Sequence, residues 1–376
     1  MKRLKAIDIF RGLCMAWMVL NHLINWWIKS EFSWVHDITI MILDPIGASG
    51  FLFISGVSIA ISYRNRLIKV KASEDYTYRM VKNSYILRAF FIFIIAILYN
   101  IPLTITLLNP SYIWTWFILL TVSISLFIAW PLLHTPKIFR LLLGILIIFS
   151  NQILLIFLIP FKGEMNIFGV LYHILYHDIV QDPILVFFPF FLFGTIVGDL
   201  LFDSYMGNNH SNRKKALKKN LLIPAIITGT FLIISGILFK FPDFLIRESL
   251  SWIFYSIGIE VFIFSVLLLF EEFVLIDIKK SYKLLFYYSY YSLTVYLSHN
   301  LLYFLFLGQL NIYNIWIFVL CTFFLLGLLF RTIYKKWEGR ASVKVQIGRI
   351  SLSIARKIEE KHLMRIKNKS YNETEN

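Results

Sequence analysis

The sequence predicts an all-α integral membrane protein, a polytopic bundle of about 10 transmembrane helices. Three observations predict it. Of 376 residues, 58% are hydrophobic and only 16% charged, with a mean hydropathy of +0.71; a soluble domain carries roughly a quarter charged residues. The apolar residues come in long blocks, such as Ile138 to Pro160 and Ile312 to Phe330, that match a hydrocarbon core of about 30 Å. Finally, the cations are sorted between the blocks in a way that alternation across a membrane explains.

In order, the spans read at 6–28, 40–63, 84–106, 112–133, 138–160, 184–202, 221–239, 251–273, 284–307 and 312–332. The first is rich in polar groups, with Asp8-Ile-Phe-Arg11-Gly12 near its start and Asn21-His22 near its end. The second follows Trp34-Val-His36-Asp37, and opens on Asp44-Pro45 and a run of small residues from Gly47 to Gly56. Small residues let helices approach closely, and Pro45 with the glycines permits a broken helix whose freed backbone lines a cavity. The third carries Arg88, the fifth Asn151-Gln152, the eighth Glu260 and the ninth Ser298-His299-Asn300. The fourth, sixth, seventh and tenth are apolar spans without a polar cluster of this kind.

With the N-terminus inside, segments assigned to the cytoplasm hold 29 of the 37 Lys and Arg, against four outside (Lys29, Lys162, Lys240 and Arg247) and four within span ends. That excess follows the positive-inside rule and places both termini in the cytoplasm, in the plasma membrane. Residues 1–332 form the transmembrane domain and 333–376 a basic cytoplasmic tail. Within the tail, residues 343–366 alternate apolar and cationic side chains, the pattern of an amphipathic helix on the inner leaflet. The largest external loop, 161–183, holds His173, His177, Asp178 and Asp182.

Composition also excludes. The net charge of +15 sits in loops facing anionic lipid, so it signals a bilayer and no nucleic acid. Two cysteines, Cys14 and Cys321, both within spans, make neither a disulfide framework nor a metal site.

A charged group at bilayer depth costs at least about 2–3 kcal/mol, so each needs a reason. Asp8 and Arg11 share a helix face, and His22 lies eleven residues beyond Arg11, about 16 Å along the helix. Packing alone accounts for each singly: Arg11 can snorkel to lipid phosphates. The distribution says more. Arg11, Arg88 and the basic segment 64–83 fall on the inner side, while His22, His36, His173, His177 and His299 fall towards the outer side. Cations attract a phosphate-rich molecule at one mouth, and histidines supply proton transfer at the other. The layout fits an enzyme that moves a group from a cytoplasmic donor to an external acceptor. A transporter or flippase of a small or lipid-linked solute is the alternative, with Glu260, Arg88 and Asn151-Gln152 along its path.

The opening stretch from Arg3 to Gly12, with Phe51-Leu-Phe-Ile-Ser55-Gly56 through Tyr63, resembles the catalytic region of heparan-alpha-glucosaminide N-acetyltransferases and their prokaryotic relatives. The ten residues between Arg11 and His22 are similar to the first-helix signature of polysaccharide O-acyltransferases. Tyr291-Ser-Leu-Thr-Val-Tyr-Leu-Ser-His299 is similar to a late segment of the same wider group. The resemblance implies acetyl-CoA as acyl donor and an extracytoplasmic saccharide or glycolipid as acceptor, with a homodimer as one assembly to test. It points to His36, before the second span, as the active histidine, whereas the O-acyltransferase signature points to His22. His299 and Asp44 complete the expected catalytic set, Asp44 orienting a histidine or the acceptor. Arg11, Arg88 and Asp8 are the expected groups around the CoA phosphates.

Overall fold

Eight helices among the described residues are long and apolar enough to cross a membrane. The computed structural model describes residues 3–73, 76–177, 181–206, 210–273 and 282–374. Its helices are α1 (Lys5–Trp27), α2 (Trp34–Leu43), α3 (Ala48–Ala72), α4 (Tyr78–Thr106) and α5 (Ile118–Leu132). Then come α6 (Lys137–Leu158), α7 (Ile167–Leu175), α8 (Ile184–Met206), α9 (His210–Leu217) and α10 (Ile223–Phe239). The series ends with α11 (Leu250–Phe273), α12 (Lys283–Tyr290), α13 (Ser292–Ser298), α14 (Asn314–Trp337) and α15 (Val343–Thr374).

Two of the ten segments read as spans take another form. Residues 112–133 yield only the 15-residue α5, entered through a 3₁₀ turn over Pro110–Trp114. The buried Asn100 amide holds that entry, donating to the carbonyls of Ile113 and Thr115 at 2.9 Å each. Residues 284–307 contain α12 and α13 separated at Tyr291, then a 3₁₀ stretch from His299 to Phe304. Hydropathy runs unbroken through Tyr291, so the pattern cannot register the break. Tertiary bonds make it: the Tyr291 hydroxyl donates to the Glu338 carbonyl at 2.6 Å, and Lys344 Nζ to the Ser289 carbonyl at 2.7 Å.

The core is built on the contact of α3 with α8, where backbone meets backbone. A Cβ on Gly56 would lie 2.1 Å from the Phe191 carbonyl oxygen, and one on Gly194 2.0 Å from that of Phe53. Only hydrogen fits at either place, the arrangement that small residues spaced by four, here Gly194 and Gly198, provide in membrane helix pairs. Around it Phe187, Phe190, Phe191 and Trp252 are fully buried. Arg140 of α6 bonds Thr195 at 2.9 Å and pairs with Asp199, tying α6 to the same helix.

The site depends most on α1, which is fixed at both ends. The Glu271 carboxylate of α11 accepts from the backbone N–H groups of Lys5 and Ala6 at 2.9 and 2.7 Å, satisfying donors that no residue of α1 itself can reach. At the other end Trp27 Nε1 donates to the Leu302 carbonyl at 2.8 Å, and Lys29 and Leu310 pair through their backbones. Between them Gly12 lies flat against the Leu285 carbonyl.

The C-terminal helix α15 packs along α4 through Ile347, Ser351, Ala355 and Glu359, all buried and four residues apart. Glu359 accepts from Thr77 Oγ1 at 2.9 Å and lies 3.8 Å from Arg79 Nε.

Candidate active site

The interruption expected at Asp44-Pro45 is present. α2 ends at Leu43, a 3₁₀ turn covers Asp44–Ile46, and α3 begins at Ala48. Proline cannot supply the N–H that a continuous helix needs, and the break turns Asp44, Gly47 and Ala48 towards an internal cavity of about 430 Å³. His22 and Asn21 of α1, His36 of α2 and Tyr296 of α13 line the same cavity. The structure thus brings His22, His36 and Asp44 together from three separate stretches of chain.

His22 stacks on Trp26, one turn on, with centroids 5.1 Å apart, and meets the His299 ring at a tilt of 39°, 5.0 Å away. His299 is buried behind these rings and does not line the cavity; its Nδ1 meets the Tyr296 carbonyl at 2.5 Å while Nε2 has no hydrogen-bond partner. His36 faces the cavity with Nδ1 3.6 Å from Asp37.

Asp44 is engaged by a residue the sequence reading counted only as an external cation. Arg247, in the loop before α11, places Nε 3.0 Å from Asp44 and Nη2 2.7 Å from Asp182, and all three line the cavity. The guanidinium also rests 5.4 Å from the centroid of Phe187. Burial works against the Arg247 charge, but Asp44 and Asp182 raise its pKa above the ordinary value. Burial pushes the Asp182 carboxyl up to about 6 in spite of Arg247. The neighbouring Glu248 is pushed by burial to about 7.

Of the loop histidines, His173 and His177 pack against each other at a tilt, with centroids 4.4 Å apart and neither lining this cavity, and Asp178 lies outside the described residues. Asn151 and Gln152 serve packing: Asn151 accepts from the Tyr176 hydroxyl at 3.0 Å and Gln152 donates to the Glu248 carbonyl at 3.1 Å. Glu260 is fully buried and forms no ion pair among the described residues.

A second cavity, of about 400 Å³, lies nearer the start of α1. Arg11, Arg88 and Lys344 line it, together with Ser55, Ser58 and Ser62, one face of α3. Arg11 donates to Ser58, and Arg88 Nε is buried with no hydrogen-bond partner. None of the three cations forms an ion pair among the described residues. Asp8 stands apart from this cavity: it pairs with Arg3 at 2.7 Å and accepts from Ser289 at 3.2 Å. Sequence reasoning missed Lys344, since it sits in the segment read as a tail. The four-residue stripe from Ile347 to Glu359 was the signal that this helix has a buried side.

The two cavities share four lining residues, Phe51, Leu119, Ser292 and Leu293. A cation-lined cavity and a histidine-lined cavity therefore adjoin in the helical bundle, with these mostly apolar residues on both linings. Fold and site together define a polytopic membrane protein with two cavities in its bundle that share part of their lining. The chain belongs to the acyltransferase domain family, whose match covers residues 4–334, and is thereby a membrane acyltransferase. No curated protein matches it at a significant level.

Proposed function

We propose that the chain moves an acetyl group from acetyl-CoA on the cytoplasmic side to an amino sugar or sugar hydroxyl of a glycan on the outer side. One observation carries this reading: the cation-lined and histidine-lined cavities abut at Phe51, Leu119, Ser292 and Leu293. Three cations with no ion pair among the described residues suit the phosphates of a CoA donor, and the cation-rich segments on the same side as Arg11 support a cytoplasmic face there. Asp44, Asp182 and Arg247 offer both acceptors and donors to the hydroxyls of a sugar.

His22, on the wall of its cavity and eleven residues beyond Arg11, takes the proton from the acceptor hydroxyl or amine. The freed oxygen or nitrogen attacks the thioester carbonyl at the partition; the new C–O or C–N bond forms, the C–S bond breaks, and the CoA sulfur leaves as a thiolate that is then protonated. His36 is the competing base in the same chamber. The Arg11–His22 spacing favours a hydroxyl acceptor, and the resemblance to heparan-alpha-glucosaminide N-acetyltransferases favours an amino sugar.

The test places purified protein in sealed proteoliposomes with radiolabelled acetyl-CoA and glucosamine, or a glucosamine-containing glycan, on opposite sides. Label crossing onto the sugar, and dependent on His22, is the expected result. Solute uptake that needs no acyl donor would instead support a transporter.

A further inference from the structure

Lys344 is the anomaly of the basic cavity. It lies beyond residue 334, where the family match ends, in the first turn of α15, a 32-residue helix. A cation in a first turn opposes the positive end of the helix dipole. It also faces Arg11 and Arg88 across a cavity of about 400 Å³. Three basic side chains thus surround one space, with Arg88 Nε buried and without a hydrogen-bond partner and none of the three in an ion pair among the described residues.

What the fold provides for Lys344 is a set of neutral acceptors. Its Nζ donates to the Ser289 carbonyl at 2.7 Å and approaches Ser292 Oγ at 3.4 Å. An ammonium carries three N–H donors, so a third is free for a ligand. The helix is held against the bundle by Ser342, whose hydroxyl bonds the Tyr290 carbonyl at 3.1 Å, and by Glu359 at Thr77. Lys344 is thus delivered to the cavity by a helix that is itself anchored.

We propose that Lys344 joins Arg11 and Arg88 as the third member of a phosphate-binding site, so that the C-terminal helix completes the donor pocket. The ligand class is a molecule with several phosphates, and this assignment rests on the acyl-CoA reading above. A lipid phosphate offers the same chemistry, and the experiment separates the two. The bland role for Lys344 is to cap the carbonyl end of α12, and the experiment separates that too.

CoA and pantetheine, its phosphate-free part, are titrated against full-length protein in phosphatidylcholine nanodiscs, for wild type, Lys344→Gln and Lys344→Arg. The expected result is CoA affinity weakened roughly tenfold or more in Lys344→Gln, restored largely in Lys344→Arg, with pantetheine binding unchanged. CoA affinity unchanged in Lys344→Gln, or equal loss of CoA and pantetheine binding, overturns the assignment while leaving the acyltransferase reading intact. If wild type binds no CoA, the acyl-CoA reading falls. Thermal stabilisation on adding phosphatidylglycerol, lost in Lys344→Gln, would then keep the phosphate site with a lipid as its ligand. Neither CoA binding nor a response to phosphatidylglycerol overturns both.

Discussion

The two cavities are nearly equal in size, about 430 and 400 Å³, and differ in how their charges are settled. In the histidine cavity every strong charge has a partner: Arg247 is shared between Asp44 and Asp182. In the basic cavity Arg11, Arg88 and Lys344 form no ion pair among the described residues. Uncompensated buried charge is costly, so a fold that keeps it has a use for a charged guest. A cavity whose ions are already paired offers directional hydrogen bonds without strong net attraction, which suits a neutral polar guest. Under the proposed function, the contrast puts the phosphorylated donor on one side and the saccharide acceptor on the other.

The largest effect expected is from His22→Ala. Removing a general base lowers transfer by roughly 10²- to 10⁴-fold, and the contrast predicts that CoA affinity, measured by titration, stays as in wild type. If His36→Ala causes that loss and His22→Ala does not, the base moves to His36 and the division of the cavities survives. If neither affects turnover, the histidine cavity is not the reacting side.

Next come the cations. Arg88→Ala should raise the KM for the donor roughly tenfold or more and leave that for the acceptor near wild type. Arg247→Ala should do the reverse. Crossed effects, with Arg247 governing the donor, would break the comparison outright.

A smaller change tests the scaffold. Gly194→Ala forces a Cβ to within about 2 Å of the Phe53 carbonyl, and such overpacking costs on the order of 1–3 kcal/mol. The melting midpoint in detergent should fall, with both ligand affinities reduced together.

The smallest effect is in the pH dependence at the paired end. Burial raises the Glu248 carboxyl from 4.5 to about 7, so the folded state holds its proton more tightly than the unfolded chain does. Stability from this group is therefore greatest at low pH and declines as pH rises from about 4.5 to about 7. Glu248→Gln should flatten the fall in melting midpoint across that window; an unchanged slope would assign it to Asp182, which is raised in the same direction.

Most of the architecture was legible because burial in lipid imposes long apolar blocks, and α1, α4, α6, α8, α10, α11 and α14 follow those blocks closely. The break at Asp44-Pro45 was legible because proline and glycine act locally. The break at Tyr291 was not, because it is made by Glu338 and Lys344, about fifty residues away in the chain. The site divided the same way. Arg11, Arg88, His22 and His36 attract notice as polar groups at or near apolar spans, and each lines a cavity. Arg247 and Lys344 lie in segments where a cation is unremarkable, and their importance exists only once the loop before α11 and the helix α15 have folded over the bundle. Asp8 shows the converse: it sits beside Arg11 in the sequence, yet it pairs with Arg3.

The partition between the cavities has unequal walls. Phe51 stands on α3, locked one turn later by the contact of Gly56 with Phe191. Ser292 and Leu293 open the seven-residue α13, which is jointed at Tyr291 and again at His299. Leu119 of α5 completes the shared lining, and α13 is the short element interrupted at both ends. If the acyl group passes here as proposed, the width of its path is expected to depend on α13 and its two joints. Bulk changes at Leu293 are then the place to ask whether an acyl group longer than the proposed acetyl is admitted.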